Sequence, residues 1–179
     1  MTMMVQASTD QAPELLELIE RRRTTGLDRY DEWWQGVYRI VTGPSPEHGR
    51  LAGKLFACLD RSAAARALHV GTPVNIGIDK VDARVPDLAV YHPDTERTSP
   101  AFLATAELVV EILSPGEQAG EKLPFYAAWN VREYLEIDLT TGAVRLLANR
   151  NGAWEPVQTS DVLDLTTADV EAVVDAALA

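Results

Sequence analysis

Leu108-Val109-Val110-Glu111-Ile112-Leu113 is the stretch that decides the fold. It is aliphatic except at Glu111, too short for a typical helix, and closed by Ser114-Pro115-Gly116. An unbroken apolar run of that length reads as a strand buried on both faces. Downstream, residues 121–129 (EKLPFYAAW) read as a helix with Pro124 tolerated in its first turn. EYLEIDL (133–139) and AVRLLAN (143–149) form a hairpin around Thr140-Thr141-Gly142, followed by a short strand near Trp154–Val157. A last helix covers residues 167–179. Upstream, RVPDLAVY (84–91) and LHVGTPVNIGI (68–78) read as two strands separated by the turn-like Asp79–Asp82, and residues 93–105 read as a loop. Leu51, Leu55 and Leu59 recur at helical spacing, so a helix capped by Ser45 runs from Pro46 to about Ala65. WWQGVYRIV (33–41) is a strand broken at Gly36, and a first helix runs from Pro13 to near Gly26. Strands outnumber crossover helices. The class is therefore α/β with an α+β mixed sheet, a central sheet flanked by helices, and not a Rossmann repeat.

A chain of 179 residues suits one domain. The expected division is a helical extension over residues 1–28, a core over 30–165 and a C-terminal helix over 166–179. Hydrophobic residues make up 46% and charged residues 24%, which excludes a disordered chain. No apolar run approaches the roughly 20 residues that a membrane span needs. The opening MTMMVQASTDQ lacks the pattern of a secretory signal. Cys58 is the one cysteine, reads as a small buried side chain and permits no internal disulfide, so a cytoplasmic location is expected. The net charge is −11 and is unevenly placed: residues 1–70 hold nine basic and nine acidic side chains, and residues 71–179 hold seven and eighteen. A chain that grips phosphates usually carries a basic footprint. Here any such surface must be local and draw on the first half, on residues such as Arg21–Arg23, Arg39, Arg50 and Lys54. Arg21–Arg23 also read simply as a solvated helix C-terminus, where cations suit the helix dipole.

Glu111 is the residue out of place. A carboxylate in a doubly buried strand is costly unless it is paired or binds a cation. A buried Glu satisfied by an Arg or by backbone donors is the plain alternative. Asp87 follows Pro86 near the start of an interior strand, where the missing ladder donor marks a strand end or bulge; a simple turn aspartate is its alternative. Two carboxylates on neighbouring strands suit a hard cation such as Mg²⁺, which keeps several waters and takes one or two carboxylates. The backbone carbonyl of Ile112 could add a third oxygen. Lys122, one short loop after the Glu111 strand, could stabilise a hydroxide and developing phosphorane charge, and Tyr126 at i+4 shares its face.

The order Pro44-Ser45-Pro46-Glu47-His48, Pro86-Asp87-Leu88, Leu108–Pro115, Gly120–Tyr126 and Arg132–Asp138 resembles the Uma-two family of restriction endonucleases, a branch of the PD-(D/E)xK nuclease superfamily. The resemblance spans about residues 30 to 165. It implies a restriction-endonuclease-like core, Mg²⁺ or Mn²⁺ dependence and a DNA substrate. It also implies catalytic roles for Asp87, Glu111 and Lys122, with Glu32, Glu47, His48 and Tyr126 as secondary candidates. The superfamily pattern puts its lysine two residues after the acidic member, where this chain has Leu113, so Lys122 is expected to take over that charge. A metal-dependent DNA endonuclease is the first functional expectation. The alternative is a catalytically inactive nuclease-fold protein that acts as a binding or interaction module. Enzymes that cut both strands often pair two sites across a two-fold axis, so a homodimer is also an expectation.

Overall fold

A computed structural model describes residues 13–179. The polar opening Met1–Gln11, and with it the expectation about a secretory signal, lies outside the described residues. α1 (Pro13–Thr25) leads into a hairpin of β1 (Glu32–Trp34) and β2 (Val37–Arg39), followed by α2 (Pro46–Ala64). Six strands come next: β3 (His69–Gly71), β4 (Asn75–Ile78), β5 (Asp82–Arg84), β6 (Leu88–Tyr91), β7 (Arg97–Ser99) and β8 (Phe102–Leu103). β9 (Leu108–Leu113), α3 (Leu123–Ala128), β10 (Glu133–Asp138), β11 (Val144–Arg150), β12 (Ala153–Pro156) and α4 (Thr167–Leu178) complete the chain.

The mixed α/β class is the one expected, but the strands are shared between two six-stranded mixed sheets. The first has the order β2-β1-β5-β4-β8-β7 and the second β12-β11-β10-β9-β6-β3. The division has a local cause. Each of the two segments that read as one strand is cut by a proline, which cannot donate to a ladder. Pro73 separates β3 from β4, Pro86 separates β5 from β6, and at each break the chain passes from one sheet to the other. The 93–105 segment, expected as a loop, contributes β7 and β8, strands too short to show a period of two.

β9 lies between β6 (antiparallel) and β10 (parallel) in the second sheet. On one face Leu108, Val110 and Ile112 pack with Leu51, Leu55, Leu59 and Ala63 of α2 and with Val170, Val174 and Ala177 of α4. The α4 stripe of Val170 and Val174 is therefore core, with Val173 partly buried against it and Leu178 exposed. On the other face Val109 packs with Phe125 and Tyr126 of α3, Ile76 of β4 and Tyr134 of β10. Packing on both faces explains the unbroken apolar run. α1 covers the first sheet through Leu15 and Ile19, which meet Trp33 and Tyr38. Its C-terminus is not simply solvated. Arg22 turns onto Asp31 with contacts of 2.6 and 2.9 Å, and Arg23 reaches Asp79 at 2.7 Å. α2 begins as its sequence suggests: the Ser45 hydroxyl accepts the His48 N–H at 3.2 Å, with Pro46 in the first turn. Cys58 on this helix is half-buried. No helix among the described residues is long and apolar enough to cross a membrane.

Candidate active site

A cleft of about 780 Å³ opens where the end of β9, the loop after it, the start of α2 and the β1–β2 hairpin converge. Glu111 lies in its wall. Burial on the α3 side of the sheet leaves this residue 6% exposed, and two side chains bond its carboxylate. Oε2 accepts from the Lys122 ammonium at 2.9 Å, and Oε1 accepts from the Tyr126 hydroxyl at 2.5 Å. Lys122 stands at the N-cap of α3, one turn before Tyr126, so the helix start delivers both groups to one carboxylate. The ammonium also meets Oε1 of Glu32 at 2.9 Å. Glu32 in turn accepts from the Val85 N–H at 2.9 Å and from the Trp34 indole at 2.8 Å. It thereby ties the first sheet to the Pro86 break.

Asp87 sits in that break. Leu88 pairs with Val110, so continuing the antiparallel register by one step places Asp87 opposite Glu111. Directly opposed residues have Cβ atoms about 4.5–5.5 Å apart. Asp87 Oδ2 accepts from the Ile112 N–H at 2.7 Å, and Oδ1 lies 3.2 Å from His48 Nε2. The second imidazole nitrogen, Nδ1, is buried with no hydrogen-bond partner among the described residues.

Negative charge dominates the cluster. Glu32, Asp87 and Glu111 face one ammonium and one imidazole. Burial pushes the Glu111 carboxyl up to about 8; Lys122 opposes that rise, and Asp87 and Glu32 add to it. Burial works against charge on Lys122, but Glu111 and Glu32 outweigh it and hold the ammonium above the ordinary lysine value. His48 follows the same pattern: burial lowers it, and Asp87, helped by the Ile112 backbone, raises it above its ordinary value. Burial, then the nearby Glu111 charge, holds the Tyr126 phenol well above its usual value. The neighbouring carboxylates thus favour the proton on Glu111, Lys122, His48 and Tyr126 alike.

The structure thus brings together Asp87, Glu111, Lys122, Glu32, His48 and Tyr126. Glu47 does not join them. It is exposed in the first turn of α2, where its own backbone N–H and Ser45 hold its carboxyl below the usual range. Sequence reasoning assigned nothing to Glu136, which lies beside Glu111 in the parallel β9–β10 register. Its carboxylate accepts from the Tyr134 hydroxyl and the Gly120 N–H, both at 2.8 Å, and meets Arg145 at 2.7 Å. A glutamate in the buried strand EYLEID was the available signal. Arg39, named from the sequence only as one of the basic residues from which a phosphate-binding surface would be drawn, reaches the cleft from β2.

Among the described residues, no three His, Cys, Asp or Glu side chains group tightly enough to cage a metal ion alone. The donors nevertheless suit a hard divalent cation. Two carboxylates and the Ile112 carbonyl are all oxygen, and such an ion leaves its remaining positions to water and substrate. Burial raises Glu111 most, and the Asp87 and Glu32 charge that adds to the rise is charge a divalent ion would neutralise.

The family described as "Putative restriction endonuclease" (Uma2) matches residues 13–177. The chain belongs to the Uma2 family. No curated protein sequence matches this Uma2 chain. A crystal structure of "a putative nuclease belonging to DUF820" from Anabaena variabilis matches it with a TM-score of 0.64 at 14% identity, covering 82% of this chain and 92% of that one. At that identity the likeness lies in the fold.

Proposed function

We propose that this Uma2 protein is a metal-dependent endonuclease that hydrolyses DNA phosphodiester bonds. The observation that carries the reading is the Glu111 carboxylate, buried in an apolar strand, opposite Asp87 and in contact with Lys122 in the wall of a large cleft. Asp87, Glu111 and the Ile112 carbonyl would hold Mg²⁺ or Mn²⁺, which supplies charge to polarise the phosphodiester and acidify water. Lys122 Nζ holds positive charge beside the reacting phosphate and stabilises the charge that develops there. Tyr126 and Glu32 orient Glu111 and Lys122, and His48 with the Ile112 N–H orients Asp87. The whole chain acts as one domain in this reading, and a homodimer would present two clefts for two strands.

The test is cleavage of double-stranded DNA, single-stranded DNA and RNA by the purified protein with Mg²⁺ or Mn²⁺. Asp87→Ala and Glu111→Ala are expected to abolish cutting while keeping a cooperative unfolding transition. A wild-type protein that cuts no nucleic acid with any divalent metal sinks the enzyme reading and leaves the binding module.

A further inference from the structure

The cleft contains a second cationic feature, separate from the Lys122 cluster. Arg39 on β2 lays its guanidinium over Trp34, with Cζ 3.4 Å from the ring centroid. Arg84 on β5 approaches the same indole, with Cζ 3.7 Å from the ring centroid. Two guanidiniums that close to one indole cannot share a face, so Trp34 lies between them. The inner one, Arg84, also stands 4.3 Å from the Phe125 ring centroid and donates to the Trp33 carbonyl at 2.6 Å and to Asp82 at 2.8 Å. The result is a stack, Phe125–Arg84–Trp34–Arg39, fixed at its inner end and opening into the cleft at its outer end. The indole N–H donates to Glu32, so the stack is in register with the Lys122 cluster.

Trp34 has no free face for a nucleobase. What the stack presents is Arg39. Its side chain is 19% exposed, and among the described residues its polar contact is one ion pair, from Nη1 to Glu121 at 3.0 Å, with a carboxylate that is 42% exposed. A guanidinium carries five donors in a rigid fork that matches the two free oxygens of a phosphodiester. Exposed ion pairs are weak, so a strand phosphate can displace Glu121 at little cost. Arg39 also belongs to the half of the chain whose charges balance, the half from which a local phosphate-binding surface has to be drawn.

The geometry points to Arg39 as a substrate-binding residue that grips a backbone phosphodiester of the nucleic-acid strand beside the scissile one, with Glu121 as the placeholder it releases. This deepens the nuclease reading and rests on it.

The experiment is fluorescence anisotropy of a labelled DNA duplex against the full-length protein over a salt series, paired with cleavage kinetics. Arg39→Gln is expected to weaken binding about tenfold and to lower the salt-dependence slope by about one. KM should rise more than kcat falls, and Arg39→Lys should recover part of the loss. Glu121→Gln is expected to tighten binding about two- to fivefold, the size of a surface ion pair. In a double-mutant cycle that gain should vanish when Arg39 is already glutamine. A general relief of acidic repulsion would persist there, and its persistence overturns the assignment. So does a wild-type protein that binds and cuts DNA while Arg39→Gln leaves affinity and salt slope unchanged; in that case the nuclease reading stands. A wild-type protein that neither binds nor cuts overturns both.

Discussion

Replacing Lys122 with methionine removes an ammonium and keeps most of the side-chain volume. The ammonium lies 2.9 Å from both Glu111 and Glu32, residues that are 6% and 5% exposed. Removing one partner of a buried ion pair costs about 3–5 kcal/mol, because the other charge is left buried and unpaired. The Glu111 carboxyl makes this cost depend on pH. Its folded value of about 8 lies above the ordinary 4.5. Between those values the folded chain keeps a proton that the unfolded chain has released. Glu111 therefore contributes stability that is full below about pH 4.5 and lost as pH rises through about 8. At pH 6 Glu111 is neutral in wild type and variant alike, and mainly Glu32 loses a partner, so the low end of the range applies, about 3 kcal/mol. At pH 9 wild-type Glu111 is ionised against Lys122, whereas in the variant it must stay protonated or be charged without a partner. One pH unit beyond the wild-type midpoint adds about 1.4 kcal/mol to the deficit. For a chain of this size that is a further loss of about 3–6 °C in Tm. Urea and thermal unfolding, followed by tryptophan fluorescence at both pH values, measure the two deficits. A deficit that is equal at pH 6 and pH 9, or smaller at pH 9, refutes the reasoning about Glu111. A variant as stable as wild type at both refutes the claim that one ammonium compensates two buried carboxylates.

Tyr126→Phe removes the 2.5 Å bond to Glu111 and is expected to cost about 1.5–3 kcal/mol in urea unfolding. It should also move the Glu111 transition to higher pH, since that bond lowers the carboxyl's proton affinity. Glu133→Gln disturbs a buried carboxylate that accepts from the Ser160 hydroxyl and the Asp161 and Val162 N–H groups. A loss of about 1–3 kcal/mol is expected with cleavage unchanged, because Glu133 lies outside the cleft. Thr166→Ala removes the capping box of α4, in which Thr166 and Asp169 exchange hydrogen bonds. The expected cost is about 1 kcal/mol, seen as a Tm lowered by about 2–4 °C.

Several elements were legible because their signals are local. The aliphatic run of β9, the leucines of α2 four residues apart and the Ser45-Pro46 start each state their own geometry. Glu111 stood out because a charge in such a run demands a partner. The split of two segments at Pro73 and Pro86 had its signal too, since each proline was visible, but a proline does not say that the next residues join another sheet. β7 and β8 left no pattern, having three and two residues. Arg22 read as a solvated terminal cation, because the Asp31 that turns it inward reaches it only when the hairpin folds back under α1.

By itself the sequence determined the identity of most elements, the mixed class and the demand for a partner at Glu111. Only the tertiary structure decided that the partners are Lys122 and Tyr126, with Glu32 sharing the Lys122 ammonium, that His48 meets Asp87 while its neighbour Glu47 faces solvent, and that Arg39 ends a stack in the same cleft. Periodicity reports which face of an element a side chain occupies, because that depends on a few adjacent dihedrals. Which faces then meet depends on strand order and on two sheets converging across tens of residues, and no spacing along the chain encodes that.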